Sequence, residues 1–177
     1  MKPIVFKFSA EKALAAIHWM IQQQPGLDLH TLLKACYFAD VEHLNRHGRP
    51  VFGATYKAMK FGPVPLEIYE MAKGEAIWLA EVSADKYPWR LNGYRLSVED
   101  NNAPDIDQLS ESDVECLQSG FDRSRGMTFN SRTEATHGPD WQAANLGIMS
   151  YEDMIEETEN KRELVEYLRE SGPYMRI

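Results

Sequence analysis

The stretch Lys34-Ala-Cys-Tyr-Phe-Ala-Asp40-Val-Glu-His43-Leu-Asn-Arg-His47-Gly-Arg-Pro50, running on to Gly62-Pro-Val-Pro65, decides how the chain reads. Its first half has helical periodicity. At roughly 100° per residue, Leu33, Cys36, Tyr37, Asp40 and Leu44 fall on one narrow stripe, with His47 close to it and His43 on its flank. Asp40 therefore points where the apolar residues point. Burying a lone carboxylate is costly, so it needs a partner. Two readings follow. Asp40 caps a neighbouring turn or accepts a tyrosine hydroxyl within a polar core network, or Asp40, His43 and His47 gather a metal or a substrate. The first is preferred.

This helix is the central element, since Leu29, Leu32, Leu33, Cys36, Tyr37, Phe38, Val41 and Leu44 give it an apolar face wide enough for several neighbours. Asp28 suits its N-cap and Gly48 its end. Upstream, residues 9–24 form an amphipathic helix with Ser9 as N-cap, closed by Pro25-Gly26. Downstream, Val51 to Met59 reads as a strand or extended segment with Phe52, Ala54, Tyr56 and Ala58 on one side. Gly62-Pro63-Val64-Pro65 reads as a rigid turn that presets a short helix ending near Gly74.

The spacing predicts a hairpin from Trp89 to Val98, with Asn92-Gly93 in a type I′ turn. That register puts Trp89, Leu91, Tyr94 and Leu96 on one face and sets Arg90 opposite Arg95, a pair that needs an acidic neighbour. A polar loop follows. Ser112-Asp-Val-Glu115 then predicts a capping box opening a helix with Val114, Leu117 and Phe121 inward, closed by Arg123-Ser-Arg-Gly126. A shorter helical piece is expected over Phe129 to Ala135, followed by a loop from Thr136 to Trp141 that leads into Trp141 to Asn145. Ser150 caps the last helical stretch, largely solvated from Glu152 to Glu170 and interrupted near Asn160.

The 177 residues are expected to fold as one domain, with an apolar content of 44% ample for a core. No apolar run is long enough to span a membrane, and the start is too short for a signal peptide, so a cytoplasmic protein with two reduced core cysteines is expected. Charge is uneven. Residues 1–95 hold 12 Lys/Arg against 9 Asp/Glu, while residues 96–177 hold 7 against 18. An acidic half repels nucleic acid and attracts basic protein surfaces, or serves simply as a soluble face. No helix carries a basic stripe with polar readers, so a nucleic-acid partner is not expected.

Catalytic motifs are missing: there is no phosphate-binding Gly-Lys-Ser/Thr loop, no Gly-x-Ser-x-Gly elbow and no His-Glu-x-x-His helix. His43 and His47 are four apart, the spacing at which two imidazoles share a metal, but no second carboxylate or cysteine follows nearby. His137, in the segment Thr136-His-Gly-Pro-Asp-Trp141, is a second polar candidate. It is expected to bond Asp40 or a backbone carbonyl if that segment folds back on the central helix.

Tyr37-Phe-Ala-Asp40, His43-Leu, Arg46, Gly48-Arg-Pro50, Gly53, Tyr56, Ala58 and Gly62-Pro-Val-Pro65 together resemble the signature of the Panacea domain family, which includes SocA-like antitoxins of bacteria and phages. Weaker resemblance runs from the first helix to the Thr136–Trp141 segment, and the acidic stretch at about 150–177 is unmatched. The resemblance implies a non-enzymatic antitoxin, without metal or cofactor, that neutralises a cognate protein toxin by direct binding. It also brings a proteolytic-adaptor role, and hence a protease partner, into view. It assigns Tyr37, Asp40, His43, Arg49, Tyr56, Gly62, Pro63, His137 and Trp141 to the shared scaffold or a groove. The toxin contact is expected on the acidic second half, against a basic cleft. The alternatives are a metal-binding enzyme on Asp40, His43 and His47, or a phage-related regulator without a toxin. The expected fold is α+β: mainly helical, with a small antiparallel β-sheet.

Overall fold

Helices α1 (Ala10–Gln23) and α2 (Leu29–His47) begin where the sequence supplies side-chain caps. Ser9 accepts from the Lys12 N–H, and Asp28 accepts from both the N–H and the hydroxyl of Thr31. These oxygens answer N–H groups that the first turn leaves without partners. Gly48 closes α2 in the left-handed conformation. The computed structural model describes all residues from 1 to 177.

The chain continues through β1 (Tyr56–Met59), β2 (Gly62–Pro65), α3 (Leu66–Ala72), β3 (Trp89–Asn92) and β4 (Arg95–Val98). Then follow α4 (Glu111–Arg125), α5 (Phe129–Ala135), α6 (Pro139–Ala144), α7 (Tyr151–Met154) and α8 (Lys161–Ser171). The fold is α+β, mainly helical, with two separate antiparallel strand pairs rather than one sheet. No helix is long and apolar enough to cross a membrane.

One apolar core gathers around α2, which buries residues on every side of its middle, among them Leu32, Leu33, Lys34, Tyr37, Phe38 and Ala39. Its principal neighbour is α4. A Cβ added at Gly120 would lie 2.6 Å from Ala35 O and 2.9 Å from Ala39 N, so the absent side chain lets α4 rest on the backbone of α2. Both cysteines are buried free thiols.

Three local expectations need correction. Gly62–Pro65 is a strand rather than a turn: Tyr56 pairs with Pro65 and Met59 with Gly62, so Lys60-Phe61 makes the connection. Prolines fit because β2 needs few donors of its own, and only β1 pairs with it. The second hairpin is shifted by one residue. Asn92 pairs with Arg95 and Arg90 with Ser97, which separates the two arginines. Gly93 takes the first turn position at φ +62°, with no positive φ at Tyr94, the pattern of a type II′ turn. Tyr94 is consequently exposed, and Val98 joins Trp89, Leu91 and Leu96 on the inner face. Finally, α4 starts two residues early. Its capping box is Ser110 with Asp113, not Ser112 with Glu115.

The outer edge of β1 is covered by residues 147–149, through Ala58 N–H to Gly147 O (2.9 Å) and Met149 N–H to Tyr56 O (2.8 Å). Helix α8 starts after a break at Asn160 and buries Val165 and Leu168.

Candidate functional site

Asp40 is fully buried, and both its oxygens are engaged. Oδ1 accepts from the N–H groups of Val51 (2.8 Å) and Phe52 (2.9 Å), and Oδ2 accepts the Tyr56 hydroxyl (2.8 Å). Burial pushes the carboxyl up to about 7, against the pull of those three donors. Asp40 thus holds the segment that leaves α2 and returns as β1, the first of the two readings offered by its place on the stripe.

A second buried carboxylate, Asp113, was hidden in the sequence by the misplaced capping box. It sits on the inner stripe of α4 with Leu117, Gly120, Phe121 and Ser124. Lys12 donates to its Oδ2 at 2.6 Å, Arg49 to its Oδ1 at 3.0 Å, and the Ser110 N–H to Oδ2 at 2.9 Å. Burial opposes ionisation, but the Lys12 hydrogen bond, the Ser110 N–H and the two cations outweigh it and hold the carboxyl below its ordinary range. Lys12, on the buried face of α1, carried one hint, a cation where a capping box would put Glu.

His43 Nδ1 lies 2.6 Å from Arg49 O. A carbonyl only accepts, so Nδ1–H donates, and Nε2 takes the Ser112 hydroxyl at 2.9 Å. Burial keeps the ring pKa below the usual histidine value. His47 packs beside it at 4.6 Å between ring centroids. Asp40, His43 and His47 do not converge, and no group of three His, Cys, Asp or Glu side chains is placed to hold an ion.

The late segment does fold back on α2, but through other atoms than expected. Tyr37 donates its hydroxyl to Asp140, burial pushing the phenol pKa up, and Trp141 Nε1–H donates to Met59 O at 2.9 Å. His137 stacks on Trp141 at 3.8 Å, and its Nε2 makes no hydrogen bond. Pro63 O accepts from Lys34 Nζ at 2.8 Å. At Gly62 (φ +107°) an added Cβ would come within 2.5 Å of Thr136 Oγ1 and 2.8 Å of Lys34 Cε. Tyr37, Asp40, His43, Tyr56, Gly62 and Pro63 are buried where α2 meets β1, β2 and the late segment, whereas Arg49, His137 and Trp141 are half-buried at its margin.

The family model "Antitoxin SocA-like, Panacea domain" matches residues 32–142, more than half of the chain. The chain belongs to the Panacea domain family. No curated protein and no solved structure matches it. The match takes in most of α2, both strand pairs, α4, α5 and the start of α6; α1, α7 and α8 lie outside it. Both carboxylates of the frame and their aromatic partners Tyr37 and Tyr56 fall inside the matched span. Lys34 and Arg132, also inside it, went unassigned because their burial depends on contacts distant in the chain.

Proposed function

We propose that this Panacea-domain protein is an antitoxin that neutralises a cognate protein toxin by direct binding and performs no reaction of its own. The observation that carries this reading is the family match over residues 32–142. Geometry supports the non-enzymatic part. The titratable groups best suited to catalysis by spacing, Asp40 and His43, spend their acceptors and donors on Val51, Phe52, Tyr56, Arg49 and Ser112. Such groups hold a shape. The uneven charge distribution adds steering toward a basic partner.

Co-expression with the product of the adjacent gene tests the reading. Restored growth together with co-purification of the two chains is expected. Toxicity that persists beside folded, soluble protein would remove the antitoxin assignment.

A further inference from the structure

A groove of about 890 Å³ opens between the first turns of α2, the β1–β2 connection and the junction of α4 with α5. Leu29, Leu33 and Met127 give it apolar walls. Phe61 and Phe129 meet edge to face at 5.2 Å while leaving 48% and 45% of their surfaces in solvent. Paired aromatics left open at the mouth of a groove have the chemistry of interface anchors.

Charge in the groove runs against that of the chain. The protein carries −8, yet the groove is lined by Lys34, Lys60, Arg125 and Arg132 against one carboxylate, Asp28. Most of these charges are already committed. Asp28 caps α2 through Thr31. Arg125 pairs with Asp122, while Lys60 is exposed at the rim, over the Phe61 ring at 5.2 Å and without an ion pair. Arg132 donates to Ser124 O (2.8 Å), Met127 O (2.6 Å) and His30 Nδ1 (3.0 Å). A guanidinium only donates, so His30 Nδ1 accepts and its Nε2–H points to Phe61 O at 3.2 Å. This chain of bonds braces the wall that carries Phe61.

Lys34 is the buried exception. It is 1% exposed, its ammonium has one hydrogen bond, to Pro63 O, and the charge acting on it is that of Arg132, of its own sign. A buried lysine with donors to spare and no carboxylate beside it is a place where an arriving carboxylate would hold the charged form.

We propose that the groove receives a segment of the partner toxin bearing a carboxylate next to an apolar or aromatic side chain, the carboxylate meeting Lys34 and the side chain lying against Phe61 and Phe129. The proposal rests on the antitoxin reading. At the buried end of the groove a single lysine without a counter-charge matches a monoanion, whereas a phosphate dianion would bring acceptors that the committed Arg132 does not answer.

The test uses the full chain co-purified with its toxin, with affinities measured for wild type, Lys34→Met and Phe61→Ser. Methionine keeps most of the stem and removes the charge; Phe61 lies at the surface, so its variant stays informative should Lys34→Met fail to fold. Each variant is expected to weaken the complex about tenfold or more, the scale of an anchor residue, with hydrogen–deuterium exchange protection gained over residues 59–64 and 127–133 on binding. If wild type binds and both folded variants bind within about twofold of it, the antitoxin reading survives and the groove proposal falls. If wild type binds no toxin, both fall. Loss of binding in the double variant Glu163→Lys, Glu170→Lys with the groove variants unaffected places the contact on the acidic face and overturns the proposal. On the toxin, neutralising acidic side chains singly and masking the C-terminal carboxylate with an added tail identify the source of the anion. Unchanged binding across that whole set contradicts the proposal.

Discussion

Tyr56 donates its hydroxyl to Asp40 at 2.8 Å while the N–H groups of Val51 and Phe52 share the other carboxylate oxygen, so one side chain in the middle of α2 fixes where the chain turns back into β1. Removing it leaves the Val51 and Phe52 N–H groups unanswered and the Tyr56 hydroxyl with only Cys36 O at 3.3 Å. Asp40→Ala is expected to cost about 2–5 kcal/mol. Tyr56→Phe, which deletes one donor and keeps the ring, should cost about 1–3 kcal/mol. Urea denaturation of the two variants measures both, and equal losses would contradict the arrangement.

The same aspartate gives stability a pH signature. Burial raises its pKa from 3.8 to about 7, so the folded state holds a proton that the unfolded chain has released. Its contribution is full below pH 3.8 and is lost as pH rises through about 7. Lys34 acts in the opposite sense. Burial, then Arg132, lowers it from 10.5 to about 7, so the folded state holds fewer protons between those values and stability recovers as pH rises from about 7 to 10.5. The margin of wild type over Asp40→Asn should therefore shrink as pH is raised toward about 7. The margin over Lys34→Met should grow as pH is raised beyond it. Denaturant melts across that range check both slopes.

Tyr37 and Asp140 join the centre of α2 to the first turn of α6. Tyr37→Phe is expected to lose about 1–3 kcal/mol and to speed amide exchange in residues 136–145 more than in α1. Uniform exchange gains across the protein would show that the bond does not anchor this segment.

At Gly120 two effects compete. Alanine in a helix interior gains roughly 0.5–1 kcal/mol over glycine, whereas overpacking costs typically about 1–3 kcal/mol. The Cβ would sit 2.6 Å from a backbone oxygen of α2, which has little room to yield. Gly120→Ala should therefore be destabilising by about 1–2 kcal/mol, read from its thermal or urea melt.

Much of this architecture was legible from local signals. Ser9 and Asp28 mark helix starts through side-chain oxygens and Gly48 marks a helix end, all from local sequence, and the burial of Asp40 follows from the 3.6-residue period. What failed depended on one-residue choices or distant partners. Asn92-Gly93 and Gly93-Tyr94 both supply a glycine to a two-residue turn, and the choice between them sets the register of every cross-strand pair. Gly62–Pro65 has the composition of a turn, and only its pairing with Tyr56–Met59 makes it a strand. Asp113 falls inside the first turn of the expected Ser112–Glu115 capping box, which assigns it no role, and its partner Lys12 lies 101 positions away. Lys34 and Arg132 are ordinary surface residue types, and tertiary packing alone puts them at a groove.

Stoichiometry tests the central claim most directly. Purified protein titrated against the toxin identified by the growth rescue, with residual toxin activity measured, should abolish that activity only near a whole-number ratio of chains and leave it partly intact below that ratio. Complete neutralisation by a small fraction of an equivalent would mean turnover, and would contradict an antitoxin that works by binding alone.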